Sequence, residues 1–391
     1  MLSNHELESA LNELTTQIND TFAGKQGQQS AKKYLTGLLS QTKRKNNWQI
    51  AETLGETTPY ALQQFIYRGR YSTDTLKNHL QTYVNEKIGE KDGKLVIDDT
   101  GFLKKGKRSC GVKRQYSGTA GKIENCQIGV FLTYTSSKGH TPIDRRLYIP
   151  QDWFDDKERC KKAGIPDTVK FQTKPEMALE MIKQATAAGV SYQWVTGDCA
   201  YGDYRTIRLW LEGQRKGYVL CVSGKEYFQE EGQRVSVSSV LEKLDVRGWF
   251  SASCGDGSRG ARVYDWQVVE LEFPVVEGWK RYLLVRRGGE GELRAHVCFA
   301  PKEVSVLKLV EVVGVRWTVE CCFAESKSLV GLDEYEVQSY VGWYKHVTFA
   351  CLAYALFTVL SGKSLGVKAI QQYKPVSCSL SGFKKKRGLR G

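Results

Sequence analysis

Apolar residues recur at helical spacing from residue 6 to residue 18, so the chain is expected to open with an amphipathic helix. From residue 93 the pattern changes to strands. Residues 94–99, 127–135 and 145–150 read as three successive strands joined by turns. An amphipathic helix follows over 176–188, then a buried strand at 192–196, a helix at 204–215 and another strand at 218–222. Three strands followed by alternating helix and strand describe an α/β fold: a mixed sheet covered by helices. The alternation breaks at 225–300, where short β-like runs at 263–273 and 281–287 predict a β-rich insertion. Helices return over 304–330 and 347–360.

The first 85 residues or so look helical, and one stretch is more specific. Around Trp48 a short helix is predicted to end at Gly55. Thr58 can cap a second, with Pro59 at its first position, where a missing N–H costs nothing. Helix, tight turn and a second helix carrying Gln63, Gln64, Arg68 and Arg70 match a DNA-reading helix-turn-helix. The same pattern also describes a plain helical hairpin.

With 391 residues the chain is long enough for two or three domains and a sizeable core. Its formal net charge of +14 favours a polyanionic partner, nucleic acid being the usual one. Of the eleven cysteines none form a Cys-x-x-Cys pair, and most lie in apolar stretches. Buried free thiols in a reducing cytosol fit that pattern, and a zinc site or disulfide framework does not. The N-terminus has no apolar signal core. The run 347–360 is shorter than a membrane span and contains Tyr354, so a buried helix is expected.

Three acidic residues then change the picture. Asp98 ends the strand Lys-Leu-Val-Ile-Asp-Asp, and Asp198 follows the strand Trp-Val-Thr-Gly. Glu320 lies on a helix with Arg316 and Lys327, four and seven residues away. At about 100° per residue these three share one helix face. Converging carboxylates can hold two divalent cations, which can clamp the attacking and leaving oxygens of a phosphodiester. The flanking cations suit phosphates running past the metals, although an exposed Arg/Glu/Lys stripe would look the same. Strand alternation sends Asp98 and Asp99 to opposite faces, so only one of them can serve. Asp98 is in phase with Val96 and Thr100 and is the first choice, with Asp99 the alternative. Lys104, Lys105, Lys107 and Arg108 form a basic turn just beyond, where they can grip DNA or simply be solvated. Tyr116-Ser-Gly-Thr-Ala-Gly-Lys lacks the phosphate-loop spacing.

These motifs carry a resemblance. The chain resembles DDE transposases of bacterial insertion sequences, in particular the group with a Tyr-x2-Arg-x3-Glu-x6-Lys signature. Arg316, Glu320 and Lys327 match that spacing, whereas the tyrosine position holds Val313. The segments at Asp98 and Gly197-Asp-Cys-Ala-Tyr-Gly-Asp resemble the first and second Asp segments of these enzymes. Gly331-Leu-Asp-Glu-Tyr and Gly342-Trp-Tyr-Lys-His resemble the stretch after the final Glu. The resemblance implies an RNase H-like core with Asp98, Asp198 and Glu320 as catalytic residues holding two Mg2+ (or Mn2+) ions. It also implies a bacterial, nucleoid-associated cytoplasmic protein that acts on double-stranded DNA as a homodimer. The expected layout is a helical DNA-binding domain at 1–90 and a core at 91–224 and 301–362. The core is split by the insertion at 225–300, and a basic tail at 363–391 follows it. Relatives can hold a flipped base on an insertion aromatic; Trp249, Trp266 and Trp279 are candidates, and core packing explains each equally. A nuclease that does not join strands and a domesticated DNA-binding protein remain as alternatives.

Overall fold

The computed structural model describes residues 4–230, 232–257, 260–271, 276–289 and 291–362. The expected basic tail and the end of the 263–273 run lie outside the described residues.

Five helices come first: α1 (Asn4–Gln17), α2 (Lys25–Leu39), α3 (Asn47–Thr53), α4 (Tyr60–Arg68) and α5 (Thr73–Ile88). Asn46 caps α3 by accepting from the Gln49 N–H at 2.9 Å. Gly55, at φ +74°, supplies the left-handed turn into α4 that other residues resist. Pro59 has helical dihedrals just ahead of Tyr60, but no side-chain cap forms there, so Thr58 does not take the capping role expected of it. α4 buries Leu62, Phe65 and Ile66.

The sheet begins with β1 (Lys94–Leu103), β2 (Lys113–Ser117), β3 (Lys122–Ser136) and β4 (Gly139–Tyr148). Short helices α6 (Gln151–Phe154) and α7 (Lys157–Lys162) lead to α8 (Lys174–Ala187). Thr173 and Glu176 start α8 with a reciprocal capping box. Then come β5 (Trp194–Gly197), α9 (Cys199–Gly202), α10 (Arg205–Gly213) and β6 (Gly217–Val222). β1, β5 and β6 run parallel, and β3 lies antiparallel to β1. A mixed sheet of this kind is consistent with an RNase H-like core.

The 225–300 region holds β7 (Tyr227–Glu230), β8 (Gln233–Ser236), α11 (Val237–Glu242), β9 (Phe250–Gly257), β10 (Gly260–Leu271), β11 (Trp279–Arg287) and β12 (Leu293–Pro301). It is not a detached β unit. β12 pairs with β6, so β12, β11, β10 and β9 extend the core sheet, while β7 and β8 pair only with each other. The free edge of β6 attracts this partner because an unpaired row of backbone groups is otherwise left open.

Two long helices close the fold, α12 (Val306–Val330) and α13 (Tyr340–Ser361). α12 crosses one face of the sheet, touching β1, β5, β6 and β9. At Gly314 it comes so close to β9 that a Cβ would meet the Cys254 carbonyl oxygen at 1.6 Å, which only glycine permits. α13 is buried on nearly every side from Gly342 to Leu360, between β4 and the helices α1, α2, α4 and α5. That all-round burial explains the apolar run 347–360. No described helix is long and apolar enough to cross a membrane. Polar contacts join the N-terminal helices to α13: Tyr34 Oη meets His346 Nδ1 at 2.8 Å, and Lys345 Nζ donates to the Gly69 carbonyl at 2.6 Å. The described cysteines are all free.

Candidate active site

β1 and β5 are parallel neighbours in register, Ile97 beside Gly197. The next residue on each is an aspartate, so Asp98, midway along β1, and Asp198, just past the end of β5, lie side by side where the parallel pairing stops. Asp198 thus sits at the carboxyl end of its strand, where open α/β sheets place their sites. Burial, and secondly the charge of Asp198, raise the Asp98 pKa to about 7. Asp198 is also raised, by burial and then by the charge of Asp99. Its side chain caps α9, accepting from the Ala200 N–H at 2.9 Å.

Strand alternation separates the two candidates on β1. Asp98 turns to the α12 face, where its Oδ2 lies 3.4 Å from Arg316 Nη1. Asp99 turns the other way, taking Lys174 Nζ of α8 at 2.9 Å and the Tyr201 hydroxyl of α9 at 3.0 Å. Only Asp98 therefore shares a face with Glu320. The Glu320 carboxylate accepts from Arg316 Nη2 at 2.8 Å. One guanidinium thus sits between Asp98 and Glu320, a fork across two carboxylates.

The three expected carboxylates do not form a single metal-binding cluster. Among the described residues no group of three His, Cys, Asp or Glu side chains is close enough to hold a metal ion. The donor chemistry nonetheless fits a hard divalent cation. Two adjacent half-buried carboxylates, both with raised pKa values, lack sufficient positive charge, and oxygen donors suit Mg2+ or Mn2+.

The expected cations divide into occupied and open ones. Lys327 Nζ donates to Thr100 Oγ1 at 2.8 Å, Thr119 Oγ1 at 3.0 Å and the Gly101 carbonyl at 3.1 Å. All three ammonium protons are used, so Lys327 ties α12 to β1 beyond Asp98. Lys104 is also occupied, with its Nζ 3.6 Å from the Tyr335 ring centroid, and burial lowers its pKa to about 8. Lys105 and Lys107 are exposed in the turn after β1. On α4, Arg68 is exposed and Gln63 and Gln64 are half-buried. Tyr60 and, on α3, Trp48 stand exposed nearby, which polarity patterns alone did not single out.

A cavity of about 490 Å³ opens beside Asp198. Its walls include Arg286, Arg294 and His296 from β11 and β12, and Arg316 and Trp317 from α12. The sequence reading missed Arg286, Arg294 and His296, because only strand pairing brings them to Asp198, and Trp317, which α12 carries there beside Arg316. None of the three insertion tryptophans lines the cavity. Trp266 is fully buried and donates to the Ala252 carbonyl, Trp279 stacks on Phe299 at 4.6 Å, and Trp249 lies under Arg287. A second arginine-lined cavity, of about 420 Å³, adjoins α10. There Arg208 pairs with Glu226 and Arg281 with Glu212, so much of its charge is cancelled locally.

Residues 17–243 match the family described as DDE superfamily endonuclease. That span includes Asp98 and Asp198 and ends before Glu320. Over 318 residues the chain is 24% identical to a protein described as a probable transposase for insertion sequence element IS701, from Microchaete diplosiphon. The alignment covers 79% of this chain and 77% of that relative.

Proposed function

The chain belongs to the DDE superfamily of endonucleases, and from that premise we propose that it binds the ends of its own mobile element, cuts them by phosphodiester hydrolysis and joins the 3′-OH ends to target DNA. The observation that carries this reading is the pair of half-buried carboxylates, Asp98 and Asp198, side by side where the parallel pairing of β1 and β5 stops, with Asp98 facing the helix of Glu320. Two Mg2+ or Mn2+ ions held by Asp98, Asp198 and Glu320 would activate the attacking oxygen and stabilise the leaving one.

The protein's own residues have distinct parts in this reading. Asp98 and Asp198 present ionised oxygens from a rigid sheet, which fixes their separation. Arg316 holds Glu320 toward Asp98 and lends positive charge beside the transferring phosphoryl group. Lys327 keeps α12 seated on β1, and its charge lies where a phosphate would pass. Residues 1–90 supply the end-binding helices, with Gln63, Gln64 and Arg68 toward the DNA, and Lys105 and Lys107 grip backbone near the cut. The assembled form on DNA is a homodimer in the bacterial cytoplasm, associated with the nucleoid.

The test uses the full chain and the DNA that flanks its own coding sequence. With MgCl2 we expect cuts that leave 3′-OH ends, followed by joined products on a target plasmid. Asp98→Ala, Asp198→Ala and Glu320→Ala should each abolish both steps without loss of DNA binding. Cutting with no joined product would support the hydrolytic nuclease instead, and DNA binding with no cutting would support the domesticated protein.

A further inference from the structure

Resting on the transposase reading, we propose that the cavity beside Asp198 is a phosphate subsite, in which Arg286 and Arg294 hold the DNA backbone next to the bond being cut.

Arg286 of β11 stands directly opposite Arg294 of β12. Two residues further along, Leu284 opposes His296, so both arginines and the histidine project to one face. Two like charges directly opposite on an antiparallel pair destabilise it. Nothing nearby cancels the cost. Arg294 pairs with Glu292 at 2.9 Å, but the two side chains are 50% and 64% exposed, and such surface pairs contribute little. Arg286 makes no ion pair among the described residues. Its guanidinium lies over the Tyr264 ring at 4.4 Å, and its Nε is buried without a hydrogen-bond partner.

His296 adds an independent observation. It is only 7% exposed, lines the same cavity, and its Nδ1 has no partner. Burial and the neighbouring Arg286 push its pKa down to about 3, so it enters the site as a neutral hydrogen-bonding ring. Unpaired buried polar atoms are costly and uncommon, and here they converge on one cavity. The other arginines of the wall are already committed. Arg262 donates to the Cys254, Asp256 and Gly314 carbonyls, and Arg316 to the two carboxylates.

What these groups call for is a ligand with several anionic oxygens. A guanidinium fork matches two phosphate oxygens, and two forks face each other here. The cavity's size, about 490 Å³, suits one sugar-phosphate unit and is too small for a duplex. Asp198 lies on its rim, so a phosphate held here would set the adjoining phosphate over Asp98 and Asp198. Arg286 and Arg294 would then be positioning residues.

The test pairs protein variants with single-phosphate changes in the DNA. Duplexes of the chain's own flanking DNA are made with one methylphosphonate, a neutral phosphate, at each position of the terminal repeat in turn. Affinity for the full chain is measured without metal, and cleavage with MgCl2. At one position the neutral phosphate should weaken wild-type binding about 10- to 100-fold, the scale of a charge-assisted contact. Arg286→Ala and Arg294→Ala should weaken binding to normal DNA by a similar factor. At that one position, and at no other, they should add nothing to the methylphosphonate effect. Arg286→Lys, which keeps charge and loses the fork, should fall between, and thermal melting confirms that each variant folds. Effects that multiply at every position, or unchanged affinity of folded Arg286→Ala and Arg294→Ala proteins, would overturn the subsite. Because affinity is read without metal, a wild-type protein that binds and never cuts would sink the transposase reading while still deciding the subsite.

Discussion

Replacing Asp98 by Asn should make the metal-free protein more stable above pH 7 and leave it nearly unchanged at pH 4. The ordinary Asp value is 3.8, and burial beside Asp198 raises Asp98 to about 7. Between these values the unfolded chain gives up a proton that the folded chain keeps. Stability is therefore highest below pH 4, falls as pH rises toward 7, and levels off above it. At about 1.4 kcal/mol per unit, a shift of about three units costs about 4 kcal/mol at pH 8. Asparagine removes that cost, and the opposing pull of Arg316 is already contained in the raised value, so nothing further is subtracted for that contact. The net gain is about 4 kcal/mol. With an unfolding entropy of about 2 cal/mol/K per residue, a chain of this length gains about 5 °C in Tm. The assay is thermal melting of both proteins in EDTA from pH 4 to pH 8, read as the difference between them. A difference that opens between pH 4 and 7 is expected, and Mg2+ should narrow it by stabilising only the wild type. A constant offset across the whole range would mean that Asp98 is solvated, and the carboxylate pair would no longer support a metal site.

Lys327→Ala removes three donors from Thr100, Gly101 and Thr119, so we expect a loss of about 1–3 kcal/mol in urea unfolding and, if a phosphate also uses its charge, a cleavage rate lower by about one to two decades. A normal rate in the folded variant would leave Lys327 a purely structural tie. In the full chain, Arg68→Ala should weaken binding to the flanking DNA and lower the slope of log affinity against log salt by about one, whereas Gln64→Ala should reduce discrimination between flanking and unrelated DNA. Unchanged salt dependence and discrimination in both would leave α3 and α4 as a helical hairpin that does not read DNA.

Much of the local structure was legible because neighbouring residues share a fixed geometry. The period of two marked β1, β3 and β4, and placed Asp98 and Asp99 on opposite faces. The helical period put Arg316, Glu320 and Lys327 on one side of α12. None of this said which side of β1 meets α12. That depends on β1 pairing with β5, about a hundred residues later, and on α12 crossing both strands close enough for Arg316 to reach Asp98. The 225–300 region read as a β-rich insertion because alternation reports a strand without naming its partner; pairing with β6 brought β9 to β12 into the core sheet. The same pairing set Arg286 against Arg294 beside Asp198, a clash of charge invisible in either strand alone. Sequence by itself determined which residues alternate and share a helix face, because those follow from dihedral angles along one segment. Tertiary structure decided which carboxylates and cations meet, because charge and desolvation act through space between segments far apart in the chain.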